Sequence, residues 1–162
     1  MSRMHPTKND LPEAIRTKII DLCNTRLADS IDLMLQAKQA HWNVKGPSFI
    51  ALHELFDQVS EATEEYVDLL AERVTQLGGT AEGTLRLAAK RSTLPEYPLA
   101  ISDGREHVDA LSSALAGFGK QVRVAIDHAQ ELRDADTADL LTEISRGVDK
   151  HLWFVEAHLQ GK

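Results

Sequence analysis

Residues 46–79 read GPSFIALHELFDQVSEATEEYVDLLAERVTQLGG, and this stretch decides the fold. Gly46-Pro47-Ser48 interrupts any preceding helix, Ser48 is suited to cap a new one, and Gly78-Gly79 ends it, so a helix is predicted over about 49–77. His53 and Asp57 stand four residues apart, as do Asp68 and Glu72, so each pair shares a helix face. At about 100° per residue the four positions fall at roughly 0°, 40°, 60° and 100°, a single stripe.

Before this stretch, apolar residues from Ile15 through Ile19, Leu22, Leu27, Ile31 and Leu35 recur at helical spacing, which predicts a first long helix over about 11–43 with Asp10 as its cap. Residues 80–101 carry Gly83, Pro95 and Pro98 and read as a long connection with one short helix near 84–91. Asp103 followed by Glu106 marks a third long helix reaching about 132. Leu140, Leu141, Ile144, Val148, Leu152 and Val155 stripe a fourth over about 137–159. The expected fold is therefore all-α: a ferritin-like four-helix bundle with a long crossover connection between the second and third helices. Residues 1–9 lack periodicity and read as a mobile N-terminal tail, leaving 10–162 as a single ferritin-like domain.

Composition agrees with a helix-rich globular chain: of 162 residues, 43% are hydrophobic and only 5% aromatic. No apolar run approaches a membrane span and the first residues do not form a signal peptide, so a cytoplasmic location without a membrane partner is expected. The lone Cys23 can form neither an internal disulfide nor a thiolate metal cluster and reads as a small buried hydrophobe. The net charge of −7 disfavours nucleic acid as a simple electrostatic partner.

The two ligand-like pairs have midpoints at residues 55 and 70, about 22 Å apart along a helix, too far to share one metal centre. Two copies of the helix packed antiparallel about a two-fold axis near residue 62.5 would bring 55 of one beside 70 of the other. Each end would then gather His53 and Asp57 from one subunit with Asp68 and Glu72 from its partner, giving two equivalent intersubunit sites. Folding the first helix back at Gly46 adds His41. Two imidazoles and three carboxylates suit Fe(II), with Mn and Zn as competitors. Taken singly, any such pair reads as an ordinary solvated face, whereas five residues agreeing on one geometry do not. The chain contains no Glu-x-x-His, so the di-metal arrangement held within one bundle is not expected.

The segment Lys38-Gln-Ala-His-Trp-Asn-Val-Lys-Gly-Pro-Ser-Phe-Ile-Ala-Leu-His-Glu-Leu-Phe-Asp57, then Asp68-Leu-Leu-Ala-Glu-Arg73, resembles the signature of the Dps family of mini-ferritins. The likeness continues through Gln76-Leu-Gly-Gly79 and Asp149-Lys-His-Leu-Trp-Phe-Val-Glu156, nearly the whole chain after the tail. It implies that His41, His53, Asp57, Asp68 and Glu72 form a ferroxidase centre taking two Fe per intersubunit site. It further implies a hollow homododecamer that oxidises Fe(II) with hydrogen peroxide, more slowly with dioxygen, stores ferric mineral and so protects DNA from oxidative damage.

A site holding two irons delivers two electrons together and takes peroxide to water without releasing hydroxyl radical. His53, Asp57 and Glu72 are assigned to the metals, Glu72 as the bridge, with His41 and Asp68 as ligands or as partners through water. Glu61 and Glu64 share the stripe and face one another under the antiparallel pairing, either as a mineral nucleation site or as an ordinary solvated pair. Asp134, Asp136 and Asp139 crowd the start of the last helix, where acids suit the dipole; the resemblance places Asp136 and Asp139 at a three-fold pore that admits iron. It also places Trp42 beside the ferroxidase site as a radical trap, although Trp42 and Trp153 read equally as core or interface. His5, His107, His128, His151 and His158 show no ligand spacing and read as surface or core residues. The competing function is a DNA-binding, nucleoid-compacting protein. Arg3, Lys8 and the terminal amine give thin basic cover against twelve acidic bodies, so DNA binding is expected to be weak or absent.

Overall fold

Glu13–Asn43 forms α1, whose Ile19, Cys23, Leu27, Leu33, Ala37 and Ala40 are fully buried together with the polar Asn24, Asp29 and Gln36. A helix packed from several sides has no single apolar stripe, because each neighbour claims its own face. In this computed structural model, which describes residues 4–160, α1 packs along α2 (Phe49–Gln76) and against α3 (Leu85–Arg91) and α4 (Gly104–Glu131). The last helix, α5 (Ala135–Glu156), pairs with α4 and touches α2, closing a bundle of four long helices around Phe56, Phe118, Leu70, Leu111, Leu115, Leu141 and Ile144.

Gly46 makes the α1–α2 hairpin possible. Its φ of 110° lies where side-chain-bearing residues are strained, and the turn sends α2 back along α1. Gly147 serves by size instead: a Cβ there would stand 1.9 Å from the Tyr66 hydroxyl, so α2 and α5 meet through a notch that only glycine leaves open.

The crossover between α2 and α4 is anchored onto α1 rather than loose. Asn24 Oδ1 accepts from the Glu82 amide at 2.9 Å, Arg91 pairs with Asp21 and Glu82, and the buried Asp29 accepts from the Thr93 amide at 2.6 Å while facing Arg26 at 2.9 Å. The crossover ends in a capping box in which Asp103 and Glu106 satisfy one another's free amides, as the sequence predicts.

Other helix starts differ. Pro12, not Asp10, occupies the cap position of α1, and its carbonyl accepts from Ile15 and Arg16. Ser48 precedes α2 but makes no side-chain cap bond. The last helix begins two residues early because Asp134 caps it through the Thr137 amide. Of the expected tail, residues 1–3 lie outside the described residues; Met4 packs against the core and the His5 amide donates to the Gly78 carbonyl at 2.8 Å. Among the described residues no helix is long and apolar enough to cross a membrane.

Candidate metal centre

α2 buries Leu52, Leu55, Phe56, Val59, Thr63, Tyr66, Leu70 and Val74, and this packing leaves the opposite side to solvent. His53 and Asp57 are half-buried on that outward side; Glu61, Glu64, Asp68 and Glu72 are exposed. The whole acidic stripe therefore points away from the bundle's own core.

The hairpin at Gly46 brings His41 to His53 as the register predicts. Their rings stack with centroids 3.7 Å apart and planes 20° from parallel. The two imidazoles grip one another's backbone: His41 Nδ1 bonds the His53 carbonyl at 2.7 Å, and His53 Nδ1 bonds the His41 carbonyl at 2.8 Å. A carbonyl oxygen can only accept, so both Nδ1 atoms carry the hydrogen, and in the neutral rings both Nε2 atoms carry a free lone pair. Fixing the tautomer through the other ring nitrogen is how metal-binding histidines are usually oriented.

Asp57 completes this end, its Oδ1 lying 3.9 Å from His41 Nδ1. It is also bonded to Lys38, one turn before His41 on α1. The Lys38 hydrogen bond, with smaller help from the neighbouring imidazoles, holds the Asp57 carboxyl below the usual carboxylate range, so it is ionised at neutral pH. Lys38 is thus a cation already seated where a metal would bind Asp57. The i, i+3 spacing of Lys38 to His41 is the signal in the sequence that puts both on one face of α1.

Asp68 and Glu72 are not brought to this cluster. Asp68 lies eleven residues along α2 from Asp57, roughly 16 Å at helical rise. Among the described residues no group of three or more His, Cys, Asp or Glu side chains is arranged to hold a metal ion. The donor types, two imidazoles and a carboxylate, suit a divalent cation chemically, and one chain supplies only that half of the set.

The remaining expected residues separate by burial. Asp136 and Asp139 are exposed on the first turns of α5, whereas Asp134 is 2% exposed and bonded to Arg73 and Thr137. Trp42, next to His41, and Trp153 are both exposed in the single chain. Cys23 is buried, and burial pushes its thiol up to about 12, so it stays protonated and inert.

Residues 20–161 match the family model described as a ferritin-like domain. The chain is 46% identical over 160 residues to the DNA protection during starvation protein of Agrobacterium fabrum, covering 99% of each. Among solved structures it is similar to Dps from Mycobacterium smegmatis, with TM-score 0.91 and 33% identity over 96% of this chain and 95% of that one. It is also similar to Dps from Microbacterium arborescens in a high iron form, with TM-score 0.84 and 31% identity over 96% and 99% of the two chains.

Proposed function

This chain belongs to the Dps family of the ferritin-like superfamily, and on that premise we propose that it is a ferroxidase whose active sites are shared between two subunits. Its substrates are Fe(II) and hydrogen peroxide, with dioxygen the slower oxidant, and its product is ferric mineral held inside a hollow homododecamer. Removing both reagents in the cytoplasm protects DNA chemically, without requiring the acidic body to bind it. The observation that carries this reading is the reciprocal pair of imidazole bonds, which engages both Nδ1 atoms and leaves both Nε2 lone pairs free near an ionised carboxylate at one end of α2.

Each site gathers His41, His53 and Asp57 of one subunit with Asp68 and Glu72 of its partner. Two Fe(II) substrates bind there, and together they give peroxide both electrons it needs, so its O–O bond breaks without releasing hydroxyl radical. Asp57 receives metal only when the Lys38 ammonium moves aside, which trades one cation for another and keeps the local charge balanced. Asp136 and Asp139 attract Fe(II) toward an uptake pore. Glu61 and Glu64 line the inner surface as a nucleation site, and Trp42 intercepts stray radicals.

Subunit complementation tests the shared site. Oligomers of H53A/D57A chains and of D68A/E72A chains should each lose peroxide-driven Fe(II) oxidation. Co-assembled from equal amounts, random pairing regenerates about a quarter of the sites, because a mixed pair rebuilds one complete set of ligands. No recovery in correctly sized mixed oligomers would refute the intersubunit arrangement. Tight retention of DNA in a gel shift at neutral pH and low salt would instead favour the DNA-compacting alternative.

A further inference from the structure

On the inner side of α2, a phenol and an imidazole form a pair that the metal chemistry leaves unused. Tyr97 in the crossover and His107 on α4 are joined by a 2.8 Å hydrogen bond between Oη and Nδ1, with ring centroids 6.0 Å apart and planes 18° from parallel. His107 is 1% exposed, and its Nε2 makes no hydrogen bond of ordinary geometry, although the Asn43 carbonyl is near enough to favour a protonated ring. Burial lowers the imidazole pKa and raises the phenol pKa, so both groups are neutral near pH 7. In a neutral pair without solvent between them, the phenol donates and Nδ1 accepts.

One buried ring links the pair to the helix that carries the half-site. Phe56, fully buried, has its centroid 6.5 Å from that of His107, and it immediately precedes Asp57. A buried imidazole whose Nε2–H has only the poorly aligned Asn43 carbonyl is costly as mere filling, since a polar group left unpaired inside a protein loses about 1–3 kcal/mol. A phenol bonded to a base is, however, the arrangement in which losing an electron is easiest, because the proton departs along the existing bond. Tyr66, the chain's other tyrosine, has no imidazole at its hydroxyl among the described residues, and Trp42 is 65% exposed, open to water.

We propose that Tyr97 and His107 are a proton-coupled electron donor to the ferroxidase centre, supplying the second electron when only one Fe(II) is bound. Peroxide then takes one electron from Fe(II) and one from Tyr97. The O–O bond breaks to give two hydroxide ions, the Tyr97 O–H bond breaks, and an N–H bond forms at His107 Nδ1. The products are Fe(III), a neutral tyrosyl radical and an imidazolium, and total charge is unchanged. Glu106 and Asp103 favour that imidazolium, while Lys45 opposes it. Tyr97 is the donor and His107 its positioning base. This inference rests on the ferroxidase reading and extends it to the half-loaded site, where hydroxyl radical would otherwise form.

The test uses assembled wild type, Y66F, Y97F and H107Q, each given less than one Fe(II) per site and then peroxide, with rapid freezing and electron paramagnetic resonance. A phenoxyl signal is expected in wild type and in Y66F, where Tyr97 is the sole tyrosine. It should vanish in Y97F and fall by roughly tenfold or more in H107Q, while hydroxyl radical caught by a spin trap rises in both. Full signal in Y97F, or equal signals in H107Q and wild type, overturns the proposal. In that outcome Fe(II) oxidation proceeds normally, whereas failure of the ferroxidase reading abolishes iron oxidation in all four proteins. Y97F keeps the ring and its packing, so its loss of signal with intact Fe(II) oxidation is not a loss of fold.

Discussion

Asp57 on α2 and Asp134 at the head of α5 are both carboxylates bonded to a cation. Asp134 is 2% exposed, receives Arg73 Nη2 at 2.8 Å, the Thr137 hydroxyl at 2.6 Å and the Thr137 amide at 3.1 Å, and has no room for another partner. Asp57 is about a third exposed and holds one flexible lysine, with two imidazoles beside it. The first ion pair is a rivet between α2 and α5. The second is a site kept charged and open. What separates them is how fully each carboxylate is satisfied by its own chain, not the identity of the cation.

Breaking the rivet should have the larger effect on stability. R73M strands the Asp134 charge inside the bundle and should cost about 3–5 kcal/mol, measured by urea denaturation. D57N should shift the same curve by no more than about 1 kcal/mol, as half-exposed pairs do. Equal losses would erase the contrast.

The pH dependence of the two sites sharpens it. Burial alone would raise the Asp134 pKa, but the Thr137 and Arg73 hydrogen bonds outweigh it and hold the carboxyl low. A carboxyl whose folded pKa is depressed contributes stability that is present above its unfolded pKa and lost as pH falls through the folded one. Stability should therefore decline as pH drops below the ordinary carboxylate range near 4. D134N should lose that part of the decline, whereas an undiminished slope would mean that other groups carry it.

Metal binding should reverse the ranking. K38M removes the cation that competes for Asp57, and since an exposed pair is worth up to about 1 kcal/mol, Zn(II) or Co(II) should bind up to roughly fivefold more tightly by calorimetry. Weaker binding would make Lys38 a support of the site instead of its competitor. The smallest effect belongs to the exposed acids next to the rivet. D136N/D139N should slow initial iron uptake severalfold at low salt, with the difference shrinking as ionic strength rises. A salt-independent defect would argue against electrostatic guidance at these positions.

The acids of the last helix show where sequence reading reaches its limit. Asp134, Asp136 and Asp139 look alike in the sequence, yet the first is sealed against Arg73, sixty-one residues earlier, while the others face solvent. Likewise His107 shows no ligand spacing, and its value lies in meeting Tyr97 of the crossover, whose path no periodicity describes. The α2 stripe was legible because helical geometry repeats every 3.6 residues, so position alone assigns a face. Asp10 and Ser48 satisfy the composition of caps without capping, since Pro12 starts α1 by its fixed φ and the turn at Gly46 governs the start of α2.

The helices, the α1–α2 hairpin, the long crossover and the α2 stripe, whose His53/Asp57 and Asp68/Glu72 pairs lie too far apart for one chain to use together, are legible in the sequence. These follow from local rules, in which spacing fixes angle and rise. Long-range packing set the rest: both histidines commit Nδ1 to a backbone carbonyl, Lys38 sits on Asp57, Asp134 is a strut, and Tyr97 meets a buried base. Each of these depends on which side chains packing brings together across long stretches of chain, and the energies that choose among them come from burial and complete hydrogen bonding, which spacing along one helix does not encode.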